Sequence, residues 1–143
     1  MRKTILAAAL ALLACSDGSG PDPRERFAGV WELVSVDGQP LPFQLAAGPP
    51  LRVELTSIEL DFSSSTQPGV ETRTFLSTPS GGGNPTTTTG TTAVSFEVDG
   101  DEVTIINTQS GLPDDVGTWD GDDELTVSRS VFGVYRLHVY HKQ

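Results

Sequence analysis

The segment AVSFEVDGDEVTIIN, residues 93–107, restricts the fold more than any other part of the chain. Val94, Phe96 and Val98 alternate with polar residues into Asp99-Gly100, and Val103 and Ile105 alternate out again. Alternation of period two gathers one set of side chains on one face of a strand. Asp-Gly between two such runs is the strongest short-range hairpin signal, because its turn needs positive φ at both central residues. A hairpin leaves unpaired backbone on both flanks, so the rest of the chain must supply strands to cover it.

The neighbouring segments do read as strands. GVWELVSVDG (29–38) ends at an Asp37-Gly38 turn, and QPLPF (39–43) is extended and stiffened by proline. LRVELTSIELDF (51–62) carries Val53 and Leu55 on one face, then Ile58, Leu60 and Phe62 after a slip of one residue. That slip predicts a bulge near Thr56-Ser57. VETRTFLS (70–77) is a strand of weaker pattern, and VGTWDGDDELTVS (116–128) repeats the hairpin design around Asp120-Gly121. In VFGVYRLHVYHK (131–142), Tyr135, Leu137 and Val139 read as the inward set, alternating with Val134, Arg136, His138 and Tyr140. TPSGGGNPTTTTGTT (78–92) has no apolar residue and reads as a long, low-complexity hairpin loop.

Helical periodicity is nearly absent, so the expected class is all-β. About eight strands in meander order make a single antiparallel up-and-down barrel, with a two-sheet β-sandwich as the alternative. The inward residues would be Trp31, Leu33, Val53, Leu55, Phe96, Val103, Ile105, Leu125, Val127, Leu137 and Val139. They either line a ligand cavity or fill the interior as core.

The chain opens Met1-Arg2-Lys3, and Thr4 to Ala14 is apolar apart from Thr4. A basic start, a short apolar run and small residues before a cut make a secretory signal, over residues 1–14, that is too short to span a bilayer. The only cysteine, Cys15, follows directly. Leu12-Leu13-Ala14-Cys15 resembles a bacterial lipobox, and the resemblance implies cleavage before Cys15, acylation of its thiol and amino group, and attachment to the cell envelope, at the outer membrane. Stable anchoring takes at least two acyl chains, which one such cysteine provides. Residues 15–26 then form the lipidated cysteine and a Gly/Pro-rich tether, and 27–143 the folded domain.

Nineteen acidic residues against nine basic ones give a net charge of −10. That balance excludes nucleic acid as partner, since the phosphate backbone demands a basic footprint, and excludes a polybasic membrane-binding face. With the membrane contacted only through the lipid, the remaining candidate partners are a small apolar ligand or lipid, and an unidentified protein.

AGVWELVSVDGQPLPF (28–43) resembles the opening of lipocalin-like domains of small bacterial lipoproteins and, more loosely, of META-type domains. The lipocalin Gly-x-Trp is matched by Gly29-Val30-Trp31. The resemblance implies that Trp31 closes the barrel floor beneath a basic residue of the last strand, Arg136, with Arg129 in reserve. Trp119, in a second Gly-x-Trp, competes for the same role.

No Gly-x-Ser-x-Gly, P-loop, His-Glu-x-x-His or Cys-x-x-Cys occurs. His138 and His141, three apart on a strand, point to opposite faces and read as solvent-facing residues near the C-terminus. The acidic turns at 99–102, 114–115 and 120–124 offer hard oxygen ligands for calcium, but Asp-Gly-Asp is equally what a hairpin turn requires. The expectation is therefore a non-enzymatic protein without cofactor or metal. It would be a lipid-anchored envelope protein binding a small apolar or amphipathic molecule, or alternatively a structural, stress-related or inhibitor lipoprotein acting through protein contacts.

Overall fold

The computed structural model describes residues 20–63, 68–109 and 111–143. The signal-like segment 1–14, Cys15 and the first part of the tether lie outside the described residues. A five-residue helix, α1 (Pro23–Phe27), is capped by Asp22, whose carboxylate accepts the Arg24 N–H at 2.9 Å. Ten strands follow: β1 (Val30–Val36), β2 (Gln39–Pro40), β3 (Phe43–Ala46), β4 (Leu51–Asp61), β5 (Gly69–Pro79), β6 (Thr86–Asp99), β7 (Glu102–Asn107), β8 (Asp115–Trp119), β9 (Glu124–Val131) and β10 (Val134–Lys142).

Eight of these form a closed antiparallel barrel in the order β1-β10-β9-β8-β7-β6-β5-β4, and β2 and β3 are additions at its margin. Closure comes from Val30, Trp31 and Glu32 of β1 pairing with Asp61, Leu60 and Glu59 of β4. A barrel rather than a sandwich follows, because a sandwich would leave β1 and β4 as free edges. The slip in β4 is a bulge between Leu55 and Ser57 against β5, which puts Leu55 and Ile58 both inside.

Turn chemistry sets the hairpins. At Asp37-Gly38 both φ values are positive, as a two-residue type I′ turn demands. The 93–107 hairpin turns one residue later than expected: Asp99 pairs with Glu102, so Gly100-Asp101 is the loop. Only Gly100 has positive φ there. Pairing Val98 with Val103 keeps the apolar sets of both strands on one face, and that register overrides the Asp-Gly preference.

Two larger corrections concern residues 78–92 and the last strand. Thr86–Thr92 is strand, not loop, and pairs with Ser77 to Glu71 of β5. β-branched threonine favours extended backbone even where nothing is buried, and the tract shares a loop's lack of apolar residues without its conformation. In β10 the inward residues are His138 and Tyr140, both 0% exposed, whereas Tyr135 and Leu137 are 65% and 49% exposed. Opposed residues of an antiparallel pair share a face. His138 opposes Val127 and Tyr140 opposes Leu125, while Leu137 opposes Ser128 and Val139 opposes Thr126. Leu137 and Val139 therefore belong to the outer face, and His138 is a core residue rather than a solvent-facing one.

One end of the barrel is an aromatic floor. Phe27 sits 4.9 Å from Trp31, 4.8 Å from Phe96, 5.8 Å from Phe62 and 5.5 Å from Trp119, ring centre to ring centre. Both tryptophans thus share the floor. Trp31 Nε1–H donates to the Phe27 carbonyl at 2.9 Å, and Trp119 Nε1–H to the Asp122 carbonyl at 3.1 Å. Leu33, Leu55, Phe96, Val103, Ile105, Leu125 and Val127 pack above as one core, while Val53, expected among them, is only half-buried, where β4 pairs with Ala46 of β3.

Candidate functional site

The cations on the floor are not the expected one. Lys142 lies over Trp31 at 5.7 Å and Arg26 over Trp119 at 5.3 Å. Arg136 sits at the opposite end, the mouth, over Phe43 at 4.9 Å and paired with Asp37 at 2.8 Å. The last strand does supply a basic residue to Trp31, but it is the one at the floor end of β10. Arg129 is elsewhere again, and it defines the candidate site.

Arg129 is 1% exposed in the barrel interior. Its Nε–H donates to Asp115 Oδ2 at 2.8 Å, and Nη1 lies 2.6 Å from Glu71 Oε2. Glu71 is on β5 and Arg129 on β9, four strands away in an eight-strand ring, so this ion pair spans the bore. Arg73 grips the other oxygen of Glu71 through its Nε–H. Arg129 Nη1 also donates to the Tyr140 hydroxyl at 3.1 Å, and that hydroxyl lies 3.3 Å from His138 Nδ1. With its oxygen accepting from Arg129, the phenol turns its own hydrogen to Nδ1, which leaves the imidazole proton on Nε2. His138 Nε2 and Arg129 Nη2 are buried and have no hydrogen-bond partner among the described residues.

Charges are matched inside the cluster, as buried charges must be. Burial works against ionisation of Glu71, but Arg129 and Arg73 outweigh it and hold the carboxyl below its usual range. Burial likewise opposes the Arg129 charge, and Tyr140, Glu71 and Asp115 raise its proton affinity above that of a free guanidinium. Burial pushes the Tyr140 phenol up. For His138, burial first and then the positive charges of Arg129 and Arg73 push the imidazole down to about 4.

A stability profile follows. Unfolded His138 takes its proton near 6.5, the folded side chain only near 4, so between these values the unfolded state binds the extra proton. Acidification through that window is expected to remove about 3 kcal/mol of unfolding free energy, and His138→Gln should flatten this part of the curve. Urea unfolding at several pH values checks it. An unchanged slope in the variant would assign the acid sensitivity to other groups.

Above the network lies the mouth. A cleft of about 230 Å³ is lined by Arg73, Asp115, Asn107, Leu112 and Phe132, among others. A second, of about 240 Å³, shares Arg73 and Leu112 and extends towards Phe75 and Gly90–Thr92. Phe132 tips the β9–β10 hairpin with φ 51, is 74% exposed, and lies 6.3 Å from Phe75. A phenylalanine in the left-handed region is strained, and this one offsets the strain with no burial. A third cleft, about 380 Å³, opens where β1 and β4 part, but it presents the carboxylates of Glu32 and Glu59 and no cation.

Period-two alternation from Leu125 and Val127 already assigns Arg129 to the interior, and from Trp119 and Gly117 it assigns Asp115. Glu71 carries no such signal, because β5 has no apolar alternation to extend. Among the described residues no group of three or more His, Cys, Asp or Glu side chains is placed to hold a metal ion. Comparison with known protein families, curated proteins and solved structures finds no match for this chain.

Proposed function

We infer that this chain is a lipid-tethered, lipocalin-like envelope protein that holds a small amphipathic molecule at the barrel mouth rather than deep inside. The observation that carries the reading is a cation under an apolar rim. Arg73, whose Nε–H holds Glu71, lines both mouth clefts, while Leu112 and the strained, exposed Phe132 stand around the opening. A carbonyl- or oxyanion-headed molecule with a short apolar body has the complementary pattern. The interior below is occupied by the ion pair across the bore and by the aromatic floor, which argues for a shallow site.

The tether supports the lipid-anchored part of this reading. Residues 23–27 close the floor end, so a chain entering from residue 22 approaches the floor and leaves the mouth facing away from its attachment. Native mass spectrometry of the Cys15→Ser chain, incubated with a lipid extract of a bacterial envelope, tests the ligand. A stoichiometric adduct is expected, weakened about tenfold or more by Arg73→Gln. An apo mass under every condition would overturn the carrier reading and favour a protein that acts through its surface.

A further inference from the structure

We propose that the chain forms a two-fold dimer by pairing the free edge of β6, residues Thr86–Thr92, with the same edge of a second copy. β6 is longer than the barrel needs. Its ladder with β7 begins at Val94 and Asn107, and the Thr108 N–H reaches the Ala93 carbonyl before the chain turns away. Upstream of Ala93, β6 pairs with β5 on one side only, and among the described residues no strand covers the other side.

The flap so formed has two edges, and they are treated differently. β3, on the far side, has four residues, a bulge between Gln44 and Ala46, prolines on both flanks, and Arg136 over Phe43. Short strands, bulges, prolines and charges are the devices that stop an edge from accepting another strand. The Thr86–Thr92 edge has only one of them, Pro85 just before its first residue: its ladder with β5 runs without a register break, Thr86 to Thr91 are exposed, and Gly90 has open space where a Cβ would stand. A row of unpaired backbone donors and acceptors on a flat edge is a template for strand addition.

Charge selects the occupant. From Thr74 to Phe96 the chain carries no charged residue, in a protein of net charge −10. The carboxylates of the 99–102 and 120–124 turns lie at the floor end, about 30 Å along the strand from Thr89. Two copies meeting floor to floor would set these turns against each other, whereas flap to flap they meet over a neutral strip. A two-fold axis between identical edges produces antiparallel pairing, the geometry β6 already adopts with β5 and β7.

Sedimentation equilibrium of the Cys15→Ser chain should show a concentration-dependent monomer–dimer exchange. Amide hydrogen exchange over residues 86–92 should slow as concentration rises. Thr87→Glu with Thr89→Glu places like charges along the strip and should raise the dimer dissociation constant about tenfold or more, with the near-ultraviolet signal of Trp31 and Trp119 unchanged. A monomer up to millimolar concentration would overturn the proposal. So would a dimer that tolerates both substitutions, or protection at 86–92 that ignores concentration.

Discussion

Arg129→Met is expected to lower the unfolding free energy by about 3–5 kcal/mol, the cost of leaving buried charge without its partner. Among the described residues the guanidinium is the one group that touches Glu71, Asp115 and Tyr140 together. Without it Glu71, 1% exposed, keeps only Arg73, and Asp115 loses its contact from Arg129 Nε. Glu71→Leu in the same chain should recover much of the loss, because an apolar pair of similar volume avoids the desolvation that the ion pair must overcome. Asp115, 6% exposed at the edge of the mouth cleft, still loses its Arg129 partner, so the recovery should stop short of wild type. Urea unfolding of the wild type, single and double variants measures all three. A single variant within about 1 kcal/mol of wild type would mean that the pair behaves as an exposed one.

The second large effect is expected at the floor. Phe27→Ala removes the ring that Trp31, Phe62, Phe96 and Trp119 share, and large-to-small changes of this kind cost about 3–5 kcal/mol. The loss extends beyond the cavity. α1 has five residues, far too few to be helical on its own, so it persists because Phe27 docks it. Undocking would expose the indole of Trp31, whose N–H is bonded to the Phe27 carbonyl. A red-shifted tryptophan emission in the native state should therefore accompany the lower unfolding midpoint. Emission unchanged from wild type would show that the floor closes without the helix.

The barrel and most of its core were legible because alternation is a local property. Leu125, Val127, Phe96, Val103 and Ile105 could be assigned to a face from their own segments, and so could the bulge in β4. The last strand could not, since both phases of VYRLHVYH offer aromatic or aliphatic residues. The choice between them depends on what β9 places opposite, a contact between segments. His138 and Tyr140 entered the core because Arg129 needs a neutral acceptor beside it, and nothing within residues 134–142 announces that need. The Thr-rich tract failed for another reason: lack of apolar residues shows that a segment is not buried, and it does not show that the segment is irregular.

The closure of the barrel also sets an order of events during folding. β1 lies between β4 and β10, and the pair Trp31 and Lys142 joins nearly the two ends of the described chain. The Gln143 N–H still donates to the Val30 carbonyl. A nascent chain can form its meander of hairpins early, but its first long strand stays half-paired until β10 has been made. Non-local closure of this kind slows folding, to the millisecond-to-second range typical of β-barrels. Removal of even the last few residues should therefore leave an open sheet with exposed seams, a target for proteases rather than a slightly shorter barrel.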